Sequence, residues 1–119
     1  MLTKLKELKL RVLVVWEPML PTDWRKPTSG TLSRISDGRT VQFWDPGHLV
    51  AHEIERDDPP SSLLPAPQCC EDNHAYWDMA ILYPQGATWS VKAPAAVFRD
   101  GPVVRVTPQV EAKLRQYAP

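Results

Sequence analysis

The chain has 119 residues, which suits one domain with one core, and its 14 basic and 14 acidic side chains give a formal net charge of zero. This balance excludes a whole-chain basic field that would recruit nucleic acid or an anionic membrane. No stretch of the sequence approaches the roughly 20 apolar residues that span a bilayer. We therefore expect one globular domain over 1–119 that binds no nucleic acid and does not insert into membranes.

The first ten residues, MLTKLKELKL, alternate leucine with lysine. They lack the apolar region and the small-residue cleavage site of a signal peptide. We expect a cytoplasmic protein, or a periplasmic one if a leader has been removed. Two cysteines are too few for a disulfide scaffold, so their number does not decide between these compartments.

The first half of the chain predicts two strands, each followed by a helix. The run RVLVVW at 11–16 is continuous in β-forming residues, which is typical of a strand buried on both faces. The run TVQFW at 40–44 predicts a second strand. Thr28 is a suitable N-cap for the first helix, and Asp45 followed by Pro46 predicts the start of the second.

The second half predicts strands, a hairpin and a final helix after a long loop. The proline-rich segment 57–74 predicts a surface loop or an insertion, and the alternating segment 75–84 predicts a strand. AAVFRDGPVVRV predicts a hairpin around Asp100-Gly101, and Thr107 is a suitable cap for the helix in TPQVEAKLRQY. The order β-α-β-α-β-β-β-α predicts an α/β fold, a mixed sheet with helices on both faces.

Two stretches of the sequence resemble the thioredoxin-like superfamily. VLVVWEPMLPTDWRKPTSGTL is similar to the family's central strand, active-site loop and following helix, and APAAVFRDGPVVRV is similar to its cis-proline strand and hairpin. The resemblance implies a thioredoxin-like fold in which Pro94 matches the cis-proline, Trp16 the strand-end tryptophan and Gly101 the hairpin glycine. It also implies a cis peptide between Ala93 and Pro94.

The chain departs from this family where the family carries its redox motif. The matching segment EPMLPTDW contains no cysteine, so the Cys-x-x-Cys mechanism is absent there. The resemblance then implies a redox-inactive or atypical domain that binds a partner protein or peptide in a groove flanked by the 17–27 loop. The residues expected in that groove are Trp16, Glu17, Asp23, Trp24 and Pro94.

The only two cysteines of the chain, Cys69 and Cys70, are adjacent in sequence. Neighbouring Cα atoms lie about 3.8 Å apart, whereas a relaxed disulfide joins Cα atoms about 4.4–6.8 Å apart. A bond between the two sulfurs would therefore suit a reversible switch, and the pair could carry thiol–disulfide chemistry. As free thiols the pair would instead form a soft site for Zn²⁺ or Cu⁺. Two incidental loop thiols are the third interpretation.

The three histidines offer further ligands for such a metal. His48 and His52 are four residues apart and would share a helix face, and His74 follows Cys70 by four residues. Cys69, Cys70, His74 and one of the two helix histidines could make a tetrahedral set. The sequence has no C-x-x-C and no H-E-x-x-H, so we expect solvated histidines and no cofactor apart from Zn or Cu at the cysteines.

Two carboxylates, Glu17 and Asp23, follow the first predicted strand. Open α/β sheets bind ligands at the carboxyl ends of their strands, and a carboxylate placed there can act as a general base. The alternative is that Asp23 makes a loop turn and that Glu17 is an outward-facing charge.

Overall fold

The computed structural model describes residues 2–18, 25–57, 64–72 and 75–116. The chain forms an α/β protein whose contacts divide it into two compact units. The N-terminal unit covers Leu2–Val50, and the C-terminal unit covers the described residues from Ala51 onward. A 3-10 turn covers Leu2–Leu5, and the remaining elements are β1 Val12–Trp16, α1 Ser29–Leu32, β2 Thr40–Trp44, α2 Leu49–Asp57, β3 Glu71–Asp72, β4 Ala75–Tyr76, β5 Ala80–Leu82, β6 Phe98–Asp100 and α3 Val103–Gln116.

Strands β1 and β2 confirm the two strands predicted in the first half of the chain. They pair in parallel, from Val12 opposite Thr40 to Trp16 opposite Trp44. On one face, the Gln42 amide accepts from the Trp16 indole at 2.8 Å and donates to a carbonyl at the end of α1 at 2.9 Å. The expectation that β1 is buried on both faces is wrong, because Leu13 is 59% exposed on the other face.

Arg39, just before β2, forms hydrogen bonds with the backbone of residues 2–8. Its guanidinium donates to the carbonyl oxygens of Leu5 and Leu8 at 2.8 Å and of Leu2 at 3.2 Å. It also donates to both carboxylate oxygens of Asp37, at 2.9 and 2.6 Å. The side-chain hydrogen bond from Arg39 is the main cause that lowers the pKa of Asp37 to about 2.

The first predicted helix forms but is short. Thr28 caps α1 by accepting from the backbone N–H of Thr31 at 3.2 Å, as its sequence position predicted. Helix α1 covers only the four residues Ser29–Leu32.

The second predicted helix begins later than expected. The side chain of Asp45 caps this helix by accepting from the backbone N–H groups of Leu49 and Val50, each at 2.9 Å. His48 has a φ of 55°, in the left-handed region, so the helix starts at Leu49 and Pro46 is not its first residue.

The C-terminal unit contains the largest differences from the predicted sheet. The segment 75–84 forms two short strands separated by Asp78, whose φ of 46° interrupts the extended chain. Strand β4 pairs with β3, and β5 pairs with β6, both antiparallel. The described strands therefore form three two-stranded sheets in place of one mixed sheet.

Helix α3 replaces the predicted hairpin. The segment 103–106, expected as an edge strand, is the first turn of α3, and Pro108 lies inside the helix instead of at its start. Thr107 is not a cap, because its hydroxyl donates to the Val103 carbonyl at 2.8 Å. A buried stripe spaced by four residues favours the helix over the strand preference of the valines; it consists of Val106, Val110 and Leu114.

None of the helices in the described ranges has the length and the apolar run that crossing a bilayer requires.

Candidate functional site: the Cys69–Cys70 disulfide

Cys69 and Cys70 form a vicinal disulfide in the C-terminal unit, with Cα atoms 3.7 Å apart. Cys70 has a φ of 76°, a left-handed conformation that side-chain-bearing residues rarely adopt. Its side chain is buried, with 5% exposure, whereas Cys69 is half-buried. The two cysteine residues thus differ in their exposure to solvent.

Three hydrogen bonds stabilise the loop that carries the disulfide. The backbone N–H of Trp77 donates to the Cys70 carbonyl at 2.9 Å. The Asp100 carboxylate accepts from the Gln68 N–H at 2.8 Å. Further back along the loop, Arg99 donates to a backbone carbonyl at 2.7 Å. These contacts fix the backbone on both sides of the cysteines.

Gly101 lets the chain before α3 approach the disulfide closely. A Cβ atom added there would lie 2.5 Å from the Asp78 carbonyl oxygen, 2.9 Å from the Cys70 sulfur and 3.2 Å from the Cys70 Cβ. Real Cβ atoms do not tolerate the first two separations, so this position requires glycine. The turn at Asp78, the buried sulfur and Gly101 therefore pack against one another.

Asp78 also connects this cluster to helix α3. One of its carboxylate oxygens accepts from the backbone N–H of Val103, the first residue of the helix, at 3.2 Å. Gly101 comes two residues before that helix, so the Cys70 sulfur packs against the segment that leads into α3. The positive end of a helix dipole stabilises negative charge, including the charge of a thiolate.

Pro94, expected in the binding groove, lines a small hollow within the C-terminal unit together with Tyr76, Tyr83 and Asp57. The Asp57 carboxylate accepts from the Ala93 N–H at 2.9 Å, and this hydrogen bond is the main cause that lowers its pKa. The expectation of a cis Ala93–Pro94 peptide is wrong: the cis peptide in the described part of the chain joins Gly101 and Pro102.

Trp16 lines a different hollow, within the N-terminal unit. Its other walls include Lys26, Pro27, Phe43 and Trp44. Phe43 is 49% exposed, and its side chain starts on the face of the sheet that carries Leu13, opposite to Trp16. The predicted groove residues Asp23 and Trp24 lie outside the described residues.

Glu17 follows β1 directly and pairs with His48. The His48 Nδ1 atom lies 2.9 Å from a Glu17 carboxylate oxygen, and the two side chains are 25% and 11% exposed. His48 precedes α2, so His48 and His52 do not both lie on the helix as expected. The general-base role of Glu17 stays a prediction, as does that of Asp23.

The metal hypothesis also stays a prediction. Within the described ranges, no three side chains of His, Cys, Asp or Glu come together as a ligand set. His74, the expected third ligand beside Cys69 and Cys70, lies outside those ranges.

The role of Asp78 was not predicted from the sequence. Its alternating position in 75–84 indicated an ordinary strand residue, and a cap that reaches Val103 across 25 residues has no local signature. Gly101 was singled out as a hairpin glycine, whereas its conformational role here is to admit the Cys70 sulfur and the Asp78 carbonyl. The adjacency of the cysteines was the one signal that pointed to this site.

Comparisons of the chain with protein-family models, with curated proteins and with solved structures find no match.

Proposed function

We propose that Cys69 and Cys70 form a reversible thiol–disulfide exchange site. The observation that carries this proposal is the unequal burial of the two cysteines of a vicinal disulfide: Cys69 is half-buried, whereas Cys70 is 5% exposed. An exchange site needs one sulfur that an incoming thiolate can reach and a second sulfur that can leave and later return.

The exchange proceeds in two balanced steps with an external thiol as reductant. A thiolate attacks the Cys69 sulfur, the bond between the two cysteines breaks, and Cys70 leaves as a thiolate. A second thiolate then attacks the external sulfur of the mixed disulfide and releases Cys69. The protein gains two electrons and two protons, and two external thiols become one external disulfide.

The position of Cys70 supports its role as the leaving and returning sulfur. Cys70 packs against Gly101, two residues before α3, and this proximity supports a contribution of the helix dipole to the stability of the departing thiolate. The adjacency of Cys69 keeps the mixed disulfide within reach of the Cys70 thiolate, so the reverse reaction is intramolecular and fast.

Single-cysteine variants test this assignment. The Cys70→Ser protein should form a stable mixed disulfide with a small aromatic disulfide at Cys69, detected as a mass increase in intact-protein mass spectrometry. The Cys69→Ser protein should react at least about tenfold more slowly, because its remaining thiol is buried. The double variant is the control. Equal rates for the two single variants, or a wild-type pair that does not cycle between oxidised and reduced forms, would refute the proposal.

A second candidate function is binding of a protein or peptide partner, which the resemblance to redox-inactive thioredoxin-like domains implies. The hollow around Trp16, whose walls include Pro27 and Trp44, supports it. Titration with a library of apolar and proline-containing peptides, followed by tryptophan fluorescence, tests it. A binding peptide should lose at least tenfold in affinity with Trp44→Leu, which removes an aromatic wall of the hollow, and little with the control Val91→Ser, which removes an 88% exposed side chain of the C-terminal unit. Equal losses would sink this candidate.

A further inference from the structure

We infer that the exchange site is coupled to helix α3. Reduction of the Cys69–Cys70 bond destabilises the first turn of that helix, and the packing at Gly101 in turn determines how readily the bond is reduced. This inference rests on the proposed exchange function and names its regulation. It is carried by the contacts that join Cys70, Asp78 and Gly101.

Gly101 packs against both the Cys70 side chain and the Asp78 backbone. An added Cβ atom at Gly101 would lie 2.9 Å from the Cys70 sulfur and 2.5 Å from the Asp78 carbonyl oxygen, so there is no free space on that side. Helix α3 begins two residues later, at Val103, and the Asp78 side chain accepts from the Val103 N–H at 3.2 Å. A displacement of Cys70 therefore reaches the start of the helix through Gly101 and through Asp78.

The disulfide holds Cys70 in a conformation that a free cysteine rarely adopts. The bond between adjacent side chains closes a small ring that includes the peptide bond between the two residues, and this ring restricts the backbone of both. The φ of Cys70 is 76°, in the left-handed region, where a residue with a Cβ atom is strained. Reduction opens the ring and leaves Cys70 free to return to an ordinary φ.

A change in the Cys70 backbone breaks contacts at the turn that contains Asp78. The Cys70 carbonyl accepts from the Trp77 N–H at 2.9 Å, and Trp77 is next to Asp78 in sequence. Cys70 is 5% exposed, so its side chain has little open space into which it can move without displacing Gly101 or Asp78. We therefore expect reduction to weaken the hydrogen bond between Asp78 and Val103.

The first turn of α3 depends on these contacts more than the rest of the helix does. Val103 and Val104 are 41% and 81% exposed, so apolar burial contributes little there. From Val106 onward the buried stripe described above stabilises the helix, and Val106 itself is 2% exposed. The effect of reduction should therefore be confined to the first turn.

Hydrogen exchange in the full-length protein tests the effect of reduction on the helix. The amides of Trp77 and Val103 are measured by NMR in the oxidised and in the fully reduced protein. They should exchange at least about fivefold faster after reduction, because each loses a hydrogen bond of ordinary strength. The amides of Val110 and Leu114 are the internal control and should change by less than about twofold.

The reverse effect follows because two coupled equilibria change each other by the same factor. A substitution that destabilises the packing of the oxidised form alone must shift the pair toward the reduced form. Gly101→Ala places a Cβ against the Cys70 sulfur, which is fixed there in the oxidised protein and can withdraw once it is reduced. Asp78→Ala removes the cap that we expect reduction to weaken. Gly101 is thus a positioning residue for the exchange reaction.

The equilibrium with dithiothreitol measures this shift. One dithiothreitol transfers two electrons and two protons to the pair and closes to its own cyclic disulfide. Alkylation of the free thiols followed by intact-protein mass spectrometry gives the reduced fraction. We expect Gly101→Ala to favour the reduced form by at least about tenfold and Asp78→Ala by about two- to fivefold.

Two further variants are the controls. Asp78→Asn keeps an acceptor for the Val103 N–H and tolerates the left-handed φ of 46°, so its redox equilibrium should stay close to that of the wild type. Asp45→Ala removes the cap of α2 and lowers the stability of the protein, but it should leave the redox equilibrium unchanged. A shift that came from lost stability alone would appear in Asp45→Ala as well.

The outcomes separate the two proposals. If dithiothreitol does not reduce the wild-type pair, or if the bond does not form again in excess oxidised dithiothreitol, the exchange function fails and this inference fails with it. If the pair cycles but Asp78→Ala behaves like Asp45→Ala, the exchange function stands and the coupling is overturned, whether or not Gly101→Ala folds. Hydrogen exchange at Val103 that is the same in both redox forms also overturns it, as does equal acceleration along the whole helix.

Discussion

Helices α2 and α3 both begin at an aspartate side chain, yet the two aspartates differ in their distance along the chain. Asp45 lies four and five residues before the N–H groups it accepts from, and it is 6% exposed. Asp78 lies 25 residues before the N–H that it accepts from and is exposed. The first cap is visible in the sequence and the second is not. Helix α2 therefore starts at a cap supplied by a neighbouring residue, whereas helix α3 starts at a cap that folding brings from a distant part of the sequence.

A substitution at Gly101, just before α3, should lower the free energy of unfolding most. Gly101→Ala would place a Cβ 2.5 Å from the Asp78 carbonyl oxygen, and a backbone atom cannot move aside cheaply. We expect a loss of about 2–3 kcal/mol in the free energy of unfolding, measured by urea denaturation. The control is Gly38→Ala, since an added Cβ there meets nothing within 4 Å. Equal effects at the two glycines would contradict the close packing.

The second-largest loss of stability should come from removing the Asp45 cap of α2. Asp45→Ala removes the acceptor for two backbone N–H groups at a buried position and should cost about 1–2 kcal/mol. Asp45→Asn keeps one oxygen and should cost less. Hydrogen exchange at Leu49 and Val50 reads the loss directly. Unchanged exchange in Asp45→Ala would show that another group caps the helix.

Asp78→Ala should have a smaller effect than Asp45→Ala. It removes a single hydrogen bond of 3.2 Å at an exposed site and an aspartate suited to a φ of 46°. We expect a loss of about 0.5–1 kcal/mol, with faster hydrogen exchange at Val103. Asp78→Asn, which retains both features, should stay close to wild type. A loss larger than that of Asp45→Ala would reverse the comparison.

Much of the N-terminal unit could be predicted because its signals are local. The β-forming runs of β1 and β2 and the cap at Thr28 lie within a few residues of their effects. The start of helix α3 could not be predicted, because the valines of the segment 103–106 favour a strand. Burial of Val106 in the folded chain favours the helix instead. For the candidate site, the adjacency of the two cysteines could be read directly from the sequence. The packing of Gly101 and Asp78 depends on contacts that only the folded chain brings together.

The smallest expected effect concerns Asp37 and Arg39, a pair even more local than the cap of α2. The pKa of Asp37 is lowered from 3.8 to about 2, chiefly by the Arg39 hydrogen bond. A depressed carboxyl pKa stabilises the fold above the unfolded value and loses that contribution as the pH falls from about 4 to about 2. Asp37→Asn should flatten the stability-versus-pH curve in that window. An NMR titration that finds an ordinary pKa for Asp37 would contradict the pairing.

The hydrogen bonds of Arg39 also order events during synthesis. The carbonyl groups of Leu2, Leu5 and Leu8 precede this arginine by 37, 34 and 31 residues. At about 5–20 residues per second, the ribosome adds Arg39 about 2–7 s after Leu2. During that interval the first turn lacks the guanidinium that fixes it. The segment that carries these carbonyl groups is therefore made before Arg39, and its final arrangement must wait for that residue.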